Sequence, residues 1–239
     1  MFTQDILTFA DTHYPGFEFL LHFGSTAHGA AREHSDIDLL LVFPGAIHPF
    51  RETRLWQGRL FDSWLYDIET LNGLIHAGRT GRNHVMLDIV LTSRVLPEPT
   101  PRSDLLKTAA TRIREAGPLL TDRNDFRHVL TSLMDDLKQC GDPVEGTAIA
   151  LDLHNVIQQT LLCLLGAGGF RKSHAIARLR DHDPTYFAEL TDAIKAAVGG
   201  KHEPLLTAAG RLLDQLGGPL REGHRAALEG TIRMPLPVI

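Results

Sequence analysis

Cysteine is close to absent from this sequence: Cys140 and Cys163 are the two found in 239 residues. Both lie in helix-like text, which argues against a disulfide framework. An excess of positive charge is missing as well, with 24 Lys and Arg against 29 Asp and Glu and a formal net charge of -5. A protein that coats DNA or RNA needs a basic face for the phosphates, so bulk nucleic-acid binding is set aside and only a local basic pocket stays open. Long hydrophobic runs are lacking too. The longest nearly uncharged stretch, Val156 to Phe170, is interrupted by Gln158, Gln159 and several glycines and falls short of a membrane span. Asp5 and Asp11 sit inside the opening segment Met1 to Thr12, which is therefore not a signal peptide. The 13 histidines form no His-x-x-x-His pair, and no cysteine cluster has zinc spacing. No internal repeat is present. A cytoplasmic protein with no membrane partner is expected.

What is present divides the chain in two. The first hundred or so residues mix strand-like runs with turns, whereas from Ser103 onward Ala and Leu recur at helical spacing. The change falls at Pro97-Glu98-Pro99-Thr100-Pro101, which reads as a linker. The expectation is an α+β N-terminal domain over residues 1–98, with a mixed sheet and flanking helices, followed by an all-α helical bundle over residues 102–239. Helices are expected over Thr3 to Thr12, Thr26 to Arg32, Ile68 to His76, Ser103 to Glu115, Asn124 to Cys140, Val144 to Leu165, His174 to Leu179, Pro184 to Val198 and Pro204 to Leu216. Strands are expected over Phe17 to Phe23, Ile37 to Phe43 and Arg59 to Tyr66.

The chain is organised around Phe23-Gly24-Ser25 and the later Ser35-Asp36-Ile37-Asp38, which opens the apolar run Leu39-Leu40-Leu41-Val42-Phe43. Side chains alternate faces along a strand, so Asp36 and Asp38 point the same way. Their Cα atoms lie roughly 7 Å apart, near enough for both carboxylates to hold one Mg²⁺. Solvated charges on an edge strand are the commoner fate of such residues, but the run after Asp38 marks a buried strand where unpaired charge is costly. Gly24 and Ser25 end the first apolar run at a place where backbone and hydroxyl can approach an oxyanion, which makes them a candidate phosphate seat.

A strand, a Gly-Ser turn, some ten residues and then Asp-x-Asp on a second strand resembles the signature of the polymerase beta type nucleotidyltransferases. The likeness is greatest to the small bacterial branch that includes aminoglycoside nucleotidyltransferases such as the kanamycin enzyme. The resemblance implies an enzyme that uses a pair of Mg²⁺ ions to move a nucleoside monophosphate, AMP from ATP, onto a hydroxyl with release of pyrophosphate. It casts Ser35 and Arg32 as phosphate-binding residues, while His28 stands where the family often has arginine. It also implies a third carboxylate from a later strand, for which Asp62 in Arg59-Leu60-Phe61-Asp62-Ser63-Trp64-Leu65-Tyr66 is preferred. The rivals are Asp67, which reads as the cap of the following helix, and Asp88 in the apolar run Val85 to Leu91.

In kanamycin-type enzymes a carboxylate of the second domain deprotonates the acceptor, and Asp135 or Asp136 is the counterpart here, with Asp136 taken as the catalytic candidate. The bland alternative is a solvated helix face beside the core stripe Leu130, Leu133, Met134 and Leu137. A turn lysine of related enzymes reaches the triphosphate, and Lys172 occupies that place after Gly166-Ala167-Gly168-Gly169-Phe170-Arg171. Asp152, Asn155 and Gln159 form a polar stripe on the preceding helix. Arg123 and His128 also fit the short Arg-x4-His pattern of HEPN ribonucleases, which a helix N-terminus rich in Arg and His explains equally well. The partners expected are a nucleoside triphosphate and an acceptor of small-molecule, protein or tRNA type. A nucleotide-binding regulatory partner without catalysis, or a nucleotidyltransferase-type antitoxin that modifies a protein, is the alternative.

Overall fold

The computed structural model describes residues 2–31, 35–80, 84–117, 123–167 and 172–225. In chain order the elements are α1 (Phe2–His13), β1 (Phe19–Phe23), α2 (Gly24–Ala27), β2 (Ile37–Phe43), β3 (Phe50–Trp56), β4 (Arg59–Asp67), α3 (Ile68–Thr80), α4 (Val85–Thr92), β5 (Arg94–Leu96), α5 (Pro101–Ala116), α6 (Arg123–Gln139), α7 (Pro143–Leu164), α8 (Lys172–His182), α9 (Pro184–Val198) and α10 (Glu203–Leu216). A mixed sheet near the N-terminus, followed by a helical C-terminal region, is thus the architecture. Among the described residues no helix is long and apolar enough to cross a membrane.

The five strands run in the order β3-β4-β2-β1-β5. β2 and β4 are parallel, and the remaining neighbours are antiparallel. Alternation along β2 divides the core between the two faces. Ile37, Leu39 and Leu41 pack with Phe9 of α1 and Phe61 of β4, and the Phe9 and Phe61 rings stack at 3.9 Å. Leu40 and Val42 face the opposite side, where Leu71 and Ile75 of α3, Leu87 and Val90 of α4 and Leu106 and Ala110 of α5 complete a second cluster. Asp38 falls in phase with Leu40 and Val42, so its side chain shares the second face.

Two compact units emerge, Met1–Thr121 with Gln159–Asp181 and Asp122–Gln158 with His182–Ile239. α5 follows the proline-rich segment yet buries its apolar stripe in the core of the sheet. Helical spacing announces a stripe to be buried but not whether a sheet or a helix covers it. In the second unit α10 buries Leu205, Leu206, Leu212, Leu213 and Leu216, and α6 buries Phe126, Leu130, Met134 and Leu137. Gly217 ends α10 in the left-handed conformation. Arg127 of α6 donates from Nε to the Gly218 carbonyl at 2.7 Å and from Nη2 to that of Gly217 at 3.0 Å.

Several expected elements take a different form. The helix expected over Thr26 to Arg32 is a single turn that starts earlier, at Gly24. The run Val85 to Leu91, to which the apolar pattern assigns no element, is helical; an apolar run of that length fits a buried strand or a buried helix alike. β3 and β5 are strands that the apolar pattern did not announce. β3 is an edge with mostly exposed residues, and β5 has three residues.

Candidate functional site

The sheet brings together two aspartates that are 24 positions apart in sequence. In the parallel β2/β4 ladder Asp38 lies opposite Asp62, and in the antiparallel β1/β2 ladder it lies opposite Phe23, the residue before Gly24. Asp36 precedes β2 by one residue and follows the same alternation. One carboxylate oxygen from each of Asp36, Asp38 and Asp62 can be chosen so that all lie within 4.8 Å of one another. Oxygens sharing one shell at about 2.1 Å from Mg²⁺ sit about 3–4 Å apart, so the group fits a shared hard cation after small rotations.

Gly24 shapes this corner. Its φ is +73°, and a Cβ there would stand 1.9 Å from Oδ2 of Asp38. Any other residue would meet both the left-handed backbone and the carboxylate itself. The chain then turns into α2, whose Thr26 Oγ1 is 3.0 Å from Nε2 of the buried His22. Burial, with Arg94 and His28 nearby, lowers the His22 pKa to about 4, which keeps that ring neutral. Ser25 is half-buried in α2, and Ser35 is half-buried directly before Asp36.

Electrostatically, Asp36, Asp38 and Asp62 repel one another. Burial pushes the Asp38 carboxyl up to about 7, with repulsion from Asp36 and Asp62 adding to it and Arg51 opposing it. Asp62 is 4% exposed and is held by Arg51, whose Nε donates to Oδ1 at 2.8 Å and Nη2 to Oδ2 at 2.5 Å. Arg51 comes from β3 and was not foreseen. The signal that announces it is Leu55-Trp56-Gln57-Gly58-Arg59-Leu60, a two-residue hairpin in which Gln57 and Gly58 both have positive φ.

The rival carboxylates are otherwise engaged. Asp67 caps α3, accepting from the Thr70 amide and the Thr70 hydroxyl, each at 2.8 Å. Asp88 accepts from Arg178 at 2.8 Å and Arg114 at 3.2 Å through the same Oδ1. Asp135 is bound by two nitrogens of Arg221, at 2.7 and 2.9 Å, and this pairing lowers its pKa. Asp136 is exposed on α6. The backbone of Lys172 opens α8, but its side chain lies outside the described residues, as does all of Arg32. His128 stacks on His224 at 4.2 Å, and His224 Nε2 is 2.7 Å from Asp125 Oδ1, so the histidine of the Arg-x4-His pattern packs against the segment after α10.

Known proteins resemble this chain in part of its sequence and in its fold. The family model described as "Nucleotidyltransferase domain" matches residues 6–71, a span that contains Gly24, Asp36, Asp38 and Asp62. No curated protein matches the chain in sequence. Among solved structures the chain is similar to a nucleotidyltransferase-like protein from Exiguobacterium sibiricum 255-15, with 12% identity and a TM-score of 0.50 over 90% of this chain and 75% of that one. That likeness concerns the fold, and neither finding singles out the kanamycin branch. Residues 6–71 are thus similar in sequence to a nucleotidyltransferase domain.

Proposed function

We propose that this chain transfers a nucleoside monophosphate, AMP from ATP, to an acceptor hydroxyl in a Mg²⁺-dependent reaction. The observation that carries the proposal is the convergence of Asp36, Asp38 and Asp62 within 4.8 Å, next to a glycine whose missing side chain leaves room for the Asp38 carboxylate. A bound pair of Mg²⁺ ions supplies charge neutralisation at the α-phosphate and lowers the pKa of the acceptor hydroxyl. Asp36 and Asp38 would hold both cations, and Asp62 would join them on the one that activates the acceptor. Gly24 and Ser25 seat the leaving phosphates, with Ser35, Arg32 and Lys172 as further phosphate contacts. The acceptor oxygen forms a bond to the α-phosphorus while the bond from that phosphorus to the bridging oxygen breaks, so pyrophosphate leaves with the electron pair. The acceptor proton passes to a carboxylate, for which Asp136 is the candidate because Asp135 is already engaged by Arg221. The helical segment from residue 102 onward is assigned the acceptor, a small molecule in preference to a protein or tRNA.

The test is incubation of the chain with α-labelled ATP and Mg²⁺ against aminoglycosides, tRNA and proteins that co-purify with it. Label on one acceptor class, lost in Asp38→Asn, is the expected result. ATP binding with no transfer to any acceptor overturns the enzymatic reading in favour of a nucleotide-binding regulator.

A further inference from the structure

Asp62 enters the carboxylate group with both oxygens taken by Arg51, at 2.8 and 2.5 Å. Neither Asp36 nor Asp38 is gripped by a cationic side chain among the described residues. The register explains the difference. Across β3/β4 Arg51 lies opposite Trp64 and Thr53 lies opposite Asp62, so Arg51, Trp64 and Asp62 share one face and Arg51 reaches Asp62 along the diagonal. Its guanidinium carbon stands 4.7 Å from the centre of the Trp64 ring. The Asp62 side chain is 6% exposed, whereas that of Arg51 is 61% exposed.

A divalent cation at Asp62 shares oxygens to which the guanidinium already donates, and the two positive groups repel each other at that distance. The Asp36 and Asp38 corner carries no such competitor. A displaced guanidinium keeps the Trp64 face as a support and needs a new planar anionic partner, a role that a phosphate fits as well as a carboxylate does.

Resting on the metal-dependent transfer proposed above, we infer that Arg51 is a positioning residue that sets the order of metal loading. It holds Asp62 while Asp36 and Asp38 take the first cation. It yields an Asp62 oxygen to the second cation only when a nucleoside triphosphate is present to receive the guanidinium.

Mn²⁺ is the probe, with free ion counted by electron paramagnetic resonance on the full chain in the absence of turnover. Wild type is expected to bind one Mn²⁺ tightly without nucleotide and a second only with a nonhydrolysable ATP analogue. Arg51→Gln removes the competitor, so the second Mn²⁺ binds without nucleotide at least tenfold more tightly than in wild type. Arg51→Lys, which retains the charge but not the two-pronged grip, falls between the two. Identical Mn²⁺ stoichiometry and affinity in wild type and Arg51→Gln overturns the inference, as does tight binding of both ions to nucleotide-free wild type. A residue that only supports β3 would shift the melting temperature and leave the Mn²⁺ count unchanged. If neither protein binds Mn²⁺ with or without the analogue, the metal-centre assignment itself falls and the inference falls with it.

Discussion

Asp38 is destabilising to the metal-free fold, because its folded pKa of about 7 lies above its ordinary value of 3.8. Between those values the native state binds the extra proton, so this residue's contribution to stability falls as pH rises and is level above about 7. His22 acts in the opposite sense. Its folded pKa of about 4 lies below 6.5, so its contribution rises with pH across that interval and partly cancels the effect of Asp38. The difference between Asp38→Asn and wild type isolates the first term. The variant is expected to be more stable than the metal-free wild type by about 1–3 kcal/mol at pH 8, less at pH 6 and near zero at pH 4. Urea unfolding at the three pH values checks this, and a difference independent of pH removes the assignment. Asp62 has a separate signature. Asp62→Asn should abolish transfer while Mg-ATP binding stays nearly intact, whereas Asp36→Asn should impair both. The loss in kcat with little change in nucleotide Kd marks an interaction made chiefly in the transition state. Near-normal turnover by Asp62→Asn would move the third carboxylate elsewhere.

At the scale of elements the decisive feature is the parallel pairing of β2 with β4. A slip of one residue would send Asp62 to the face that packs against α1 and leave Asp36 and Asp38 without their partner. The register continues to Phe43 opposite Asp67, the residue that closes β4 and caps α3. Asp67→Ala removes the side-chain acceptor for the Thr70 amide and is expected to cost about 1 kcal/mol. Thermal unfolding should show a drop of about 2–4 °C, with Mn²⁺ binding unchanged. Loss of Mn²⁺ binding in that variant would show that the α3 cap and the carboxylate group are coupled.

For the whole chain, the net charge of -5 and three converging carboxylates make a bare triphosphate an unwelcome ligand. Calorimetry should therefore detect ATP binding with Mg²⁺ and none in EDTA. Binding of equal strength in both conditions would contradict the metal-dependent reading.

The sequence alone carried the parts of the site that depend on local pattern. Gly24-Ser25, the period-two spacing of Asp36 and Asp38 and the single acid in the apolar run around Asp62 are visible because strand alternation and burial act within a few residues. The helices from Ser103 onward were legible for the same reason, with bounds that differ from those observed by a few residues. Arg51 was not legible as a partner of Asp62, because it lies on a largely exposed edge strand whose pairing depends on a hairpin and not on an apolar pattern. Local pattern did not set Asp88 apart from Asp62, since both are single acids in apolar runs, and the preference for Asp62 came from the spacing that the family resemblance implies. Only the fold made one a strand residue beside Asp38 and the other a helix residue between Arg114 and Arg178. Local pattern thus determined which side chains are able to serve. Tertiary structure decided which of them meet, because strand order and register join residues distant in sequence, and no short-range periodicity encodes them.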